Sequence, residues 1–157
     1  MANLNIVFTR VDNRLIHGQV GNVWLGSTSA NLIVVVDDET AGSPVLQSVM
    51  KMTADARGVG VRFFSIEKAI NVLPKASAAQ KIFLVAKTPK VIRKLVENGI
   101  PIKQCNIGNM HFEEGKKIYK ESHVYVDQDD LDDIQYLKDK NIDVFIQILP
   151  TESKIGL

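Results

Sequence analysis

Arg10-Val11-Asp12-Asn13-Arg14-Leu15-Ile16-His17-Gly18-Gln19 places one of the chain's three histidines beside two arginines and an aspartate. A transferring phosphoryl group needs an unprotonated nitrogen to attack phosphorus and donors for its equatorial oxygens. His17 can supply the nitrogen. Arg10 and Arg14 can supply permanently charged, bidentate donors. Their charge opposes a further positive charge on the imidazole, which favours the nucleophilic form. Asp12 can hold one ring nitrogen or restrain an arginine. Gly18 reads as the residue that lets the chain turn tightly. The amides of Gly18 and Gln19, at a helix start, read as a phosphate-binding loop. On residues alone this is an anion site with a candidate nucleophile.

The elements around it set the fold class. Strand candidates are Leu4–Thr9, Leu32–Val36, Val59–Phe64, Lys81–Val85, Gln104–Ile107, His123–Val126 and Asp143–Ile148. Several are continuous apolar runs, which suits strands covered on both faces of a parallel sheet. Between them lie helical patterns. Val20, Val23 and Trp24 form one, and Val45, Val49 and Met52 a second that opens at Ser43-Pro44. Ile66, Ala69, Ile70 and Leu73 form a third, stopped by Pro74. A fourth opens at Thr88-Pro89 and a fifth at Asp127 to Asp130. The alternation predicts an α/β fold: a mainly parallel central sheet of about seven strands, doubly wound, with helices on both faces. In such sheets ligands collect outside the carboxyl ends of strands, where Arg10 to His17 lies. The tail Pro150–Leu157 is expected to run over the surface.

At 157 residues the chain reads as one domain, 1–157, with 45% hydrophobic and 24% charged residues. A net charge of +1 gives no bias toward nucleic acid. No apolar run reaches the ~20 residues of a membrane helix, and no signal peptide is evident, so a cytoplasmic protein is expected. The single Cys105 reads as a packing residue. The histidines at 17, 111 and 123 lack metal-ligand spacing. His111 follows a strand and can reach the edge that carries His17, or pack locally; His123 reads as structural. Lys87 and Thr88 can add a cation and a hydroxyl near a phosphoryl group, but Thr88 reads first as a helix cap. Asp37 and Asp38 read as a solvated loop or cap outside the direct site. Trp24 reads as core. Leu15 and Ile16 would suit an apolar rim for transient docking.

Competing readings are weaker. Asp37-Asp38 and Lys87-Thr88-Pro89 superficially match a receiver module phosphorylated on aspartate, but no isolated aspartate ends the third strand candidate. A non-catalytic anion-binding domain is a second alternative. A phosphomonoesterase with an Arg-His-Gly triplet is a third, and it fits poorly because three residues separate Arg14 from Gly18.

Arg10 to Val20 closely resembles the signature of the enzyme IIB subunits of the mannose/sorbose family of bacterial sugar phosphotransferase systems. Asp37-Asp38-Glu39, Lys87-Thr88-Pro89 and Asn106-Ile107-Gly108-Asn109-Met110 agree in order. The resemblance implies that His17 is transiently phosphorylated at Nδ1 and that Arg14 steadies the phosphoryl group. Arg10 and Asp12 would shape the loop. Asn13 stands where many members carry a second acid. The resemblance further implies a phospho-IIA donor, a sugar acceptor held by membrane IIC and IID subunits, peripheral attachment to that transporter, and no metal or organic cofactor. Gly108 to Phe112, Gly115-Lys116 and Pro150-Thr151-Glu152 are similar to members serving N-acetylgalactosamine or galactosamine rather than mannose, fructose or sorbose.

Overall fold

The computed structural model describes residues 3–157, apart from the side chain of Gln19. Strand β1 (Asn5–Asp12) leads through the His17 loop into a π-helical segment, Gln19–Trp24, continued by α1 (Leu25–Thr28). Then come β2 (Leu32–Val36), α2 (Asp38–Ala41), α3 (Pro44–Ala56), β3 (Gly60–Phe64), α4 (Ile66–Val72), β4 (Lys81–Ala86), α5 (Pro89–Glu97) and β5 (Gln104–Asn109). The chain closes with β6 (Lys117–Tyr119), β7 (Glu121–Val126), α6 (Gln128–Asp139), β8 (Asp143–Ile146) and β9 (Ile155–Gly156).

The central sheet runs β3-β2-β4-β1-β5-β8-β9. Pairings from β3 to β8 are parallel, and β9 is antiparallel to β8. Because side chains alternate across a strand, β4 feeds two cores. Ile82, Leu84 and Ala86 pack with Ala69, Ile92, Leu95, Ile134 and Leu137 of α4, α5 and α6. Phe83 and Val85 pack on the other face with Val20, Trp24, Leu25 and Ala54. The sheet is therefore covered on both faces, as the continuous apolar runs predict. The carboxyl end of β1 lies between β4 and β5, where the connection from β1 takes one face and that from β4 the other. This is a topological switch point, the usual place for a ligand.

Four expectations change. His123–Val126 is not part of the central sheet: β7 pairs with β6 and touches β5's extension through a Met110↔Val124 bridge. The sheet's seventh strand is β9, which ties the tail to β8. The Val45-Val49-Met52 stripe faces outward, at 74%, 62% and 73% exposure. Helix α3 instead packs through Met50 and Ala54, and Gln47 donates to the carbonyls of Thr40 and Ala41. Thr88 occupies the N-cap position of α5 without a side-chain cap bond, whereas Ser43 caps α3 and Asp127 with Asp130 forms a capping box on α6.

Candidate active site

Asp12, the last residue of β1, is fully buried and holds the site together. Its Oδ1 accepts from the Arg14 amide and from Arg14 Nε, both at 3.0 Å. Its Oδ2 accepts from Arg14 Nη2 at 3.1 Å, from Arg10 Nε and Nη2 at 3.3 and 3.2 Å, and lies 2.9 Å from His17 Nε2. An ionised carboxylate has no proton to give, so the imidazole donates through Nε2, and in that tautomer the lone pair sits on Nδ1. Burial pushes the Asp12 carboxyl up. Hydrogen bonds from His17 and Arg14, with the Arg10 charge, outweigh it and hold the group down at about 2.

The two arginines do different work. Arg10 is 0% exposed, and its five N–H groups are taken by Asp12, Asn106 Oδ1 (2.6 Å) and the carbonyls of Gln147 (3.1 Å) and Ile148 (3.2 Å). It also lies 4.9 Å over the Trp24 ring. Burial pulls its guanidinium down to about 10 against the influence of Asp12, so it stays charged at neutral pH. With its donors committed inward, Arg10 braces Asp12. Arg14 is gripped by Asp12 but 38% exposed, and the His17 side chain is 19% exposed.

The loop's geometry corrects two further expectations. Gly18 has φ −51 and ψ −45, ordinary right-handed values, and a Cβ there would meet only Asn22 Nδ2 at 3.9 Å. The left-handed residue is Leu15, with φ 60, held by its amide donating to the Asp12 carbonyl at 2.9 Å. Leu15 and Ile16 are buried at 0% and 5% exposure, so they anchor the loop in the core and form no docking rim. Trp24 is core as expected, and its indole donates to the Ile148 carbonyl. The Gln19 side chain lies outside the described residues, while its backbone opens the π-helical segment.

The remaining candidates gather beside the loop. Asn13, Lys87, Thr88, His111, Glu113 and Lys116 line a cleft of about 220 Å³. His111 donates its backbone N–H to Asn13 Oδ1 at 3.2 Å, while its ring pairs with Glu113 at 3.1 Å. Lys87 is bound to Glu39 at 2.9 Å and Asp37 at 3.3 Å. These acids hold its ammonium above the usual lysine value despite partial burial, which acts the other way. Asp37 caps α2 through Thr40, as one of its two expected roles has it. His123 pairs with Glu121 on the exposed face of β7. Asn106, Gly108, Asn109 and Gln147 surround Arg10 and Asn13 from distant strands and loops, and no local pattern announces them; the resemblance marked Asn106 to Met110 only as a segment that agrees in order.

A family model described as the PTS system sorbose subfamily IIB component matches residues 6–157. The chain belongs to this family. The IIB chain is 53% identical over 154 residues to "N-acetylgalactosamine-specific phosphotransferase enzyme IIB component 1" of Escherichia coli (strain K12), covering 98% of this chain and 97% of that one. It is 43% identical over 153 residues to component 2 of the same strain, covering 98% and 96%. The crystal structure of the E. coli N-acetylgalactosamine-specific IIB component 1 superposes with a TM-score of 0.94 at 52% identity, over 98% of this chain and 99% of that one. Its α/β sheet and its membership of a phosphotransferase family are thereby established. Among the described residues of this IIB chain, no helix is long and apolar enough to cross a membrane.

Proposed function

We propose that this IIB component, a single domain over residues 1–157, carries a phosphoryl group on His17 Nδ1 between a phosphorylated IIA protein and a sugar. Asp12 Oδ2 at 2.9 Å from His17 Nε2 is the observation that carries this reading. It assigns the lone pair to Nδ1 and braces the ring from behind. In the first step Nδ1 attacks phosphorus and the donor's N–P bond breaks, returning its electron pair to the donor imidazole. In the second, a sugar hydroxyl oxygen attacks phosphorus, the Nδ1–P bond breaks with its electron pair returning to the His17 imidazole, and the hydroxyl's proton passes to solvent water. Arg14, held in orientation by Asp12, faces the charge on the transferring oxygens. The Gly18 and Gln19 amides are further candidates for those oxygens.

Cys105 is the competing nucleophile by residue type. It is 0% exposed within the larger core, and burial pushes its thiol up to about 12. Neither accessibility nor thiolate character favours it. The names of the similar proteins support N-acetylgalactosamine as the sugar. Delivery through membrane IIC and IID subunits, with this chain attached peripherally from the cytoplasm, completes the proposed reading.

The test is labelling by phospho-IIA. The expected product is an acid-labile, base-stable phosphate, absent from His17→Ala and unchanged in Cys105→Ser. Labelling that survives His17→Ala overturns the assignment.

A further inference from the structure

We infer that Asn13 is a positioning residue for the transfer, locking the His17 loop onto the end of β5 so that Asp12 meets the ring from one direction. The inference rests on the carrier role proposed for His17. Pairing between β1 and β5 slips where it reaches the site: Val11 pairs with Ile107, but Asp12 pairs with Asn109. The regular ladder therefore stops steering the chain at Asp12. Asn13 takes over. Its amide donates to the Asn109 carbonyl at 3.1 Å, and its Oδ1 accepts from both Asn109 Nδ2 and the His111 amide.

These bonds join the loop to residues 96 and 98 positions away in sequence. Asn13 adjoins Asp12 in the chain, so its bonds fix the backbone from which the Asp12 carboxylate reaches Arg10, Arg14 and His17. It also forms a wall of the cleft that holds Lys87, Thr88 and His111. Truncating it would break two accepted bonds and open that cleft toward the loop. An aspartate at the same place could accept from the same two donors. The role is therefore one of geometry and separable from charge.

Nitrogen NMR of the neutral His17 ring reads this directly. The wild-type protein should give one tautomer, protonated at Nε2. Asn13→Ala should give a mixture of the two, and Asn13→Asp should restore the single form. Asn109→Ala, which removes one donor and spares Asn13, should shift the ring in the same direction by less. In single-turnover loading from phospho-IIA, Asn13→Ala should slow the saturated rate at least about tenfold with the half-saturating donor concentration unchanged. An unmixed tautomer in Asn13→Ala, a mixed one in Asn13→Asp, or loading within about twofold of wild type would overturn the inference. If the wild-type protein takes no phosphoryl group, the carrier reading fails, while the tautomer measurement still decides whether Asn13 sets the ring.

Discussion

A Cβ built on Gly108 would stand 2.0 Å from Cζ of Arg10. The β5 backbone thus makes way for a buried guanidinium, and that guanidinium is what braces Asp12. Gly108→Ala should force Arg10 out of its five-bond seat and destabilise the protein by about 3 kcal/mol. Gly18→Ala should leave stability nearly unchanged, because the space there is open and the backbone right-handed. Urea unfolding of both variants checks the contrast; equal losses would mean the packing around Gly108 can yield.

Asp12→Asn keeps the shape and removes the charge. It leaves Arg10 buried without its counter-ion, costing about 3 kcal/mol. It also replaces one acceptor oxygen with an amide donor, so the ring is no longer held in the Nε2–H tautomer, and phosphoryl loading should fall at least about 100-fold. Loading kinetics on variant protein shown to be folded by circular dichroism measures the second effect apart from the first.

The same residue makes an acid-sensitive contribution. The Asp12 carboxyl titrates at about 2 in the folded protein, below its ordinary value. A group depressed on folding stabilises above its unfolded value and loses that contribution as pH falls through the folded one. About 2 kcal/mol should therefore disappear between roughly pH 4 and pH 2. Unfolding free energies across that range should drop less steeply in Asp12→Asn than in wild type.

Arg14→Lys tests the outward-facing cation. A lysine keeps the charge but loses the planar fork that grips both Asp12 oxygens. Loading should slow by about tenfold or more with thermal stability little changed, since Arg14 is partly exposed. Unchanged loading would remove Arg14 from the mechanism.

Much of this was legible in the sequence because it is local. Leu32–Val36 is a five-residue apolar run and folds as a fully buried strand with those bounds. His17, Arg14 and Asp12 lie within six residues of one another, so a contiguous motif reports their meeting. What was not legible depends on distant pairing. By residue type Arg10 and Arg14 look alike, and the resemblance alone set them apart; Asn106, Gln147 and Ile148, arriving from β5 and the segment after β8, supply the physical reason that one is a brace and the other faces outward. Apolar type misled twice in opposite directions. Leu15 and Ile16 in a loop are buried, and Val45, Val49 and Met52 on a helix are exposed, because tertiary packing rather than periodicity decides which face is covered. Glycine type misled once: Gly108 has no room for a side chain, whereas the Gly18 beside the histidine does.

The measurement closest to the central claim is nitrogen–phosphorus NMR of the phosphorylated protein, labelled with ¹⁵N in its histidines. Phosphorus coupled to Nδ1 of His17, with the proton retained on Nε2 toward Asp12, is the predicted result. Phosphorus on Nε2, on another histidine or on the Cys105 sulfur would contradict the account.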